Sequence, residues 1–323
     1  MVATVENVKR REFLKLASVV APMIAAPSVW ARTVRPEVAF TFDDPKVDGG
    51  AGLSGQQINE RMLSVLAKHK LKAVLFVCGK RVDSDAGKSL VAEWDRAGHG
   101  IGNHSYSHLY FNASGESGDS KVTLADFEAD ALKVEPLIRH YKHFVRLYRY
   151  PFFKEGDTVG KRDGMRSFLQ QHGYRIGRAT IDASDWAINS RLEAHAKTSP
   201  GADFTAYGDY FLQHIWERAQ FYDSLAQRVL GHPVRHTVLL HHGALNALFL
   251  NRLIGMFVEK GWKPIDAQRA YADPVYDLQP KILPAGEGLI WALAKESGKF
   301  EKELRYPGED DVYENPKMDA LKL

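Results

Sequence analysis

Short apolar runs alternate along this chain with longer stretches of helical period, and most of the apolar runs end in a polar cluster. The first, Val38-Ala39-Phe40-Thr41-Phe42, reads as a buried strand ending in Asp43-Asp44. Ser54 then caps a predicted helix to about residue 70, with Ile58, Met62, Leu63, Leu66 and Ala67 on one face. A strand over 73–77 follows, then a short helix over 89–96 stopped by Gly98, and a strand-like run at 100–102. Thr123 and Asp126 form a capping-box pattern that opens a helix to about 141. A strand over 144–148, a helix over 162–172 ended by Gly173 and a strand over 175–181 come next. The last strong strand, 237–240, runs into His241-His242, and the helix over 248–259 precedes a closing Gly261-Trp262-Lys263-Pro264. Strand–helix alternation at this spacing predicts a parallel α/β architecture.

The polar clusters carry the candidate chemistry. They are Asp43-Asp44, His104 with His108, Arg149-Tyr150-Pro151-Phe152-Phe153, Asp182-Ala183-Ser184-Asp185-Trp186 and His241-His242. Each ends a strand-like run, which is where active sites collect in parallel barrels and sheets. Two histidines four residues apart can reach one ion, and a carboxylate can complete that face. Two His and one carboxylate leave positions open, as a catalytic rather than a structural metal site does. The second aspartate is then a candidate base.

With these five clusters in this order, residues from about 38 to 264 resemble the polysaccharide deacetylases, the NodB-homology or carbohydrate esterase family 4 enzymes. The resemblance implies a distorted (β/α) barrel and metal-dependent hydrolysis of an N- or O-acetyl group on a sugar. It makes Asp43 the base and Asp44, His104 and His108 the metal ligands. It has Arg149 hold Asp43 and the backbone N–H near Phe152 help bind the oxyanion. Asp185 would tether His241, the general acid, and Trp186 would wall the pocket. The implied cofactor is a divalent metal, zinc first, with cobalt or nickel as alternatives.

Departures from the family pattern bear on substrate. Pro45 stands where glycine is usual, so the glycine-rich loop 45–55 leaves the site differently and is expected over its mouth. An insertion at 187–235 separates the last two clusters, carrying aromatics and a predicted helix over 209–230. His242 follows His241 where an acid is more usual. Adjacent strand residues face opposite ways, so only His241 is expected to act. His99 reads as a structural hydrogen-bonding residue. Glu155 and Asp157 are candidates for lining the pocket, and Tyr106, Tyr110 and Phe111 for stacking on a sugar or packing in the core.

Lys9-Arg10-Arg11-Glu12-Phe13-Leu14-Lys15, a short apolar region and Val29-Trp30-Ala31 read as a twin-arginine export signal over 1–31, too short to span a bilayer. Residues 32–266 would be the deacetylase domain, and 267–323 an extension packing on the barrel. The expected location is the periplasm. Formal net charge is +3, about +1 without the signal, which gives no electrostatic case for nucleic acid or an anionic membrane. Cys78 is the only cysteine, so no internal disulfide forms, and it reads as a packing residue.

The expected partner is therefore a glycan substrate. The alternatives are a hydrolase of a small non-sugar amide or imide, and a carbohydrate-binding relative that has lost its chemistry. A packed 187–235 insertion would favour the small substrate, and a loose one an open groove.

Overall fold

The computed structural model describes residues 35–113, 121–306 and 308–323; the expected export segment lies outside the described residues. The described chain opens with β1 (Glu37–Asp43), α1 (Gly55–Lys68), β2 (Val74–Val77), α2 (Gly79–Val82), α3 (Asp85–Arg96) and β3 (Gly100–Asn103). Then come α4 (Leu124–Lys133), α5 (Glu135–Ile138), β4 (Phe144–Tyr148), β5 (Lys154–Gly156), α6 (Val159–Gln171) and β6 (Arg175–Ile176). After these follow α7 (Asp185–Thr198), α8 (Thr205–Leu230), β7 (Arg235–His241), α9 (Ala244–Glu259) and β8 (Lys263–Pro264). The chain ends with α10 (Ala267–Tyr271), β9 (Ala285–Gly286), α11 (Leu289–Ser297) and α12 (Asp311–Ala320).

The main sheet runs β6-β4-β3-β2-β1-β7, with β8 beside the start of β1, and every pair is parallel. A parallel bridge between Ile181 and Val238 returns the run after β6 to β7, so the sheet curls into a distorted barrel. The closing strand is irregular for a local reason. Gly177 lies so close to Phe76 that a Cβ would sit 2.6 Å from its ring, and Arg178 turns away into a buried pair with Glu155.

Local sequence explains the helix starts. Ser54 and Gln57 form a reciprocal capping box at α1, and Thr123 and Asp126 do the same at α4 with Asp in place of the usual Glu. β1 is buried beyond its first residue, as a strand paired on both sides and covered by helices requires.

Two regions differ from their sequence reading. The insertion holds two helices rather than one, α7 beginning at Asp185 itself. Tyr207, Tyr210, Phe211 and Tyr222 of α8 are buried core residues. The C-terminal region is ordered in its described residues: α10 packs on β1 and β7, α11 on α8, and α12 on α7. Among the described residues no helix is long and apolar enough to cross a membrane.

Candidate metal and catalytic site

All nine predicted site residues gather at the C-terminal end of the barrel strands. Asp43, Asp44, His104, His108, Phe152, Trp186 and His241 line one cavity of roughly 470 Å³, while Arg149 and Asp185 are buried behind it. Register produces the central juxtaposition. Asp43, the last residue of β1, pairs with His241, the last of β7, so the two leave adjacent strands on the same face.

One ligand atom each from Asp44, His104 and His108 lies within 4.8 Å of the others, a spacing one ion can bridge. The donors suit a cation. His104 Nδ1 is 2.8 Å from the Arg149 carbonyl, which fixes the proton there and leaves Nε2 as the free lone pair. Burial, then the neighbouring His104, pushes the His108 pKa down to about 3, so its imidazole is neutral, as a ligand must be. Burial alone would raise Asp44, but His104, His108 and Arg81 outweigh it and hold the carboxyl below its ordinary value. Asp44 Oδ1 is buried without an aligned hydrogen-bond donor, although Arg81 Nε lies 3.1 Å away. Such an oxygen suits a cation as its partner.

The three segments that carry Asp44, His104–His108 and Phe152 are held in an uncommon shape. Asp44, Ser105, His108, Phe152 and Phe153 all have φ between 54° and 62°, a left-handed region that non-glycine residues rarely occupy. Each costs on the order of 1–3 kcal/mol and persists only where its surroundings enforce it. Here Asp130 accepts from the backbone N–H groups of Tyr106 and Ser107, and Asn103 accepts from Ser105 N. The Phe152 ring, half exposed, packs edge-on against His108 at 4.5 Å.

Arg149 is fully buried and clamps Asp43. Its Nη1 donates to Asp43 Oδ1 at 2.6 Å, Nε donates to the Gly177 carbonyl, Nη2 donates to the Tyr271 hydroxyl, and the guanidinium lies over Phe76. Burial would lower the Arg149 pKa, but Asp43 and Tyr271 keep it above its usual value, so the cation is permanent.

Asp185 opens α7 and holds the second histidine. Its Oδ1 is 2.7 Å from His241 Nδ1, and Oδ2 accepts from His241 N and Asn246 Nδ2. Burial would lower the His241 pKa. The Asp185 charge and hydrogen bond outweigh it, with Asp43 and Asp44 adding, and lift it to about 9. His241 is therefore an imidazolium at neutral pH with Nε2 free to donate.

The other tempting residues have structural places. His242 borders the cavity, but its ring packs beside Trp94 with Nε2 3.3 Å from Asn59 Oδ1, and burial lowers its pKa to about 4. His99 Nδ1 accepts from Ala73 N. Glu155 does not line the cavity: it is buried between Arg166 and Arg178, because an ionised carboxylate inside needs paired cations. Asp157 also stays out of the cavity and accepts from Ala113 N. Phe111 stacks on Phe127 in the core, Tyr106 bonds Asp83 at the surface, and only Tyr110 reaches the cavity. Cys78 is buried and its thiol is pushed up to about 11 by burial, so it is no nucleophile.

Sequence reading missed several contributors. Tyr271 and Asn246 brace Arg149 and Asp185 from α10 and α9. Lys154, Asp182, Glu287, Glu309 and Asp310 add to the cavity wall, and the last three come from the C-terminal region. Asp182 stood inside a recognised cluster; the C-terminal acids had only their charge to mark them. The 45–55 loop reaches the cavity through Lys46, which is tied to Glu193 of α7 at 3.1 Å.

Residues 31–177 match the family model for polysaccharide deacetylase. A peptidoglycan-N-acetylglucosamine deacetylase of Bacillus cereus is 28% identical over 168 residues, covering 51% of this chain and 52% of that protein. The chain spans about half the length of the curated relatives of that kind. A chitin deacetylase of Colletotrichum lindemuthianum shares the fold at a TM-score of 0.50 and 18% identity, over 75% of this chain and 89% of its own. A CE4 family pseudoenzyme of Bacillus anthracis superposes at a TM-score of 0.51 and 18% identity, over 73% and 65%.

Proposed function

We propose that the chain is a NodB-homology polysaccharide deacetylase of carbohydrate esterase family 4, and that it hydrolyses the acetamide of an N-acetylated cell-wall glycan. The observation that carries this reading is the placement of Asp43 and His241, register partners on β1 and β7, in one cavity with the Asp44–His104–His108 cluster.

A divalent ion held by Asp44, His104 and His108 supplies, when bound, a Lewis acid for the amide carbonyl and the attacking water. The two-imidazole, one-carboxylate set suits zinc, with cobalt or nickel as substitutes. Asp43, oriented by Arg149, takes the water proton. The Phe152 backbone N–H donates to the carbonyl oxygen as negative charge builds there. The His241 imidazolium, held by Asp185, gives its proton to the departing sugar nitrogen, so the C–N bond breaks and acetate and a free amine leave. Trp186 walls the sugar side.

In this reading residues 1–31 direct export through the twin-arginine route to the periplasm, 32–266 form the catalytic domain, and 267–323 complete the cavity wall. The names of the relatives point to peptidoglycan as the first glycan to try. The packed insertion and a cavity within the usual small-ligand range suit a second reading, hydrolysis of a small amide or imide. An inactive binding relative suits the chain less, because base, acid and ligands are all retained.

The test is acetate release from peptidoglycan and chitooligosaccharides by metal-stripped protein, with zinc or cobalt restored. Release that needs metal and vanishes in Asp43→Asn supports the reading. A metal-loaded protein that releases nothing from either glycan overturns it and moves the assignment to a small amide.

A further inference from the structure

The catalytic cavity does not stand alone. Trp186 and Ser190 line it and also line a second cavity of roughly 600 Å³ on the outer side of α7. The second cavity follows one face of that helix: Trp186, Ser190 and Ala194 recur at four-residue spacing, with Ala187, Arg191, His195 and Thr198 beside them. From 186 to 198 this face extends about 18 Å at the helical rise. Tyr207 of α8 and Asp311 and Asn315 of α12 form the opposite wall. The insertion and the C-terminal region together build this groove.

We propose that the groove binds the glycan chain leading away from the acetylated sugar, which rests on the reading above. Its occupant follows from three features. The groove joins the catalytic cavity at Trp186, whose indole is partly exposed and offers a flat face to a sugar ring. The hydroxyl, imidazole and amide side chains of Ser190, His195 and Asn315 suit a neutral polyol. Of the two cations that line the groove, Arg191 is paired with Asp319 at 2.6 Å, and Lys322 shares the groove with the carboxylate of Asp311. The packed insertion is thus one wall of an extended site, and this deepens the glycan reading against the small-amide one.

Ala194 lies on the groove, is exposed, and is absent from the catalytic cavity. Ala194→Trp should fill the groove and leave the catalytic cavity intact; Ala194→Ser should change nothing. The probes are N-acetylglucosamine oligomers from dimer to hexamer, with zinc-loaded protein. Wild type should gain about tenfold or more in kcat/KM from dimer to hexamer, equivalent to about 1.4 kcal/mol. Ala194→Trp should lose that gain while turning over the dimer as wild type does. Release without any dependence on length, or a gain that survives Ala194→Trp, overturns the groove while sparing the deacetylase reading. Calorimetric binding separates the reverse case. No release at any length, with hexamer bound more tightly than dimer only when residue 194 is small, keeps the groove and removes the hydrolytic reading.

Discussion

Asp43 and His241 are register partners across the parallel β1–β7 pair, and each is held by a buried group of opposite charge: Arg149 for the aspartate, Asp185 for the histidine. The two side chains are thus placed by adjacent strand ends and oriented from behind.

The His241–Asp185 pair predicts a pH profile. His241 has a pKa raised from 6.5 to about 9, so its acid form is present below that value and activity should fall as pH rises through it. The same shift stabilises the fold fully below 6.5, and this contribution is lost as pH rises through about 9. Asp185→Asn removes the charge and keeps the shape. It should move the alkaline limb down and reduce kcat by roughly 10²–10⁴-fold. A pH–rate profile whose alkaline limb stays in place in Asp185→Asn would remove His241 as the acid.

Metal and base should separate by mutation. Asp44→Ala deletes a ligand and should lose bound metal by elemental analysis. Asp43→Asn should keep the metal and lose turnover. Metal at 100 times its Kd stabilises the fold by about 2.7 kcal/mol, so chelation should lower Tm in wild type and Asp43→Asn but not in Asp44→Ala. Equal metal content in all three proteins would move the ion elsewhere.

Arg149 gives a stability prediction. Removing one partner of a buried pair strands the other charge, so Arg149→Met should cost about 3–5 kcal/mol, read by urea denaturation near neutral pH. Asp43→Asn combined with Arg149→Met should cost less than the single Arg149 change, because no carboxylate is left stranded. Additive losses would mean that Arg149 stabilises through Gly177 and Tyr271 instead.

How much was readable in advance follows from range. The strand ends carrying Asp43, His104, Arg149 and His241 were legible because each polar cluster closes an apolar run of strand length, and a parallel sheet must align such ends. Caps at Ser54 and Thr123 were legible because they involve residues three apart. Tyr271 and Asn246 were not, since their partners Arg149 and Asp185 lie 122 and 61 residues away. For the same reason, whether the insertion packs or stays loose was left open by the sequence; α9 and α11 pack over α8 and make Tyr210 and Phe211 core. Glu155 looked like a pocket acid because Arg178, its buried partner, sits on another strand end.

The His241–Asp185 side of the site is also anchored from the C-terminal helix. His214 of α8 accepts the Ser184 N–H through Nε2 at 3.0 Å, and its Nδ1 lies 3.2 Å from Glu314 of α12. All three residues are buried, and Ser184 immediately precedes Asp185. Arg305 and the Tyr210 hydroxyl also bind Glu314. Burial would raise the Glu314 pKa, but His214 and Tyr210 hold it far below the carboxylate range, so its anchoring is present at neutral pH and fades as acid protonates it. His214→Phe leaves the buried Ser184 N–H without its acceptor, at a cost of about 1–3 kcal/mol, removes the contact with Glu314, and frees the start of α7. Turnover should fall with KM unchanged, and the alkaline limb should shift down as Asp185 loosens. His214→Gln, with an acceptor for Ser184 and a donor for Glu314, should restore both. If His214→Phe melts lower yet keeps kcat and the alkaline limb, the Glu314–His214 contact supports the fold alone and Asp185 is held by His241 and Asn246.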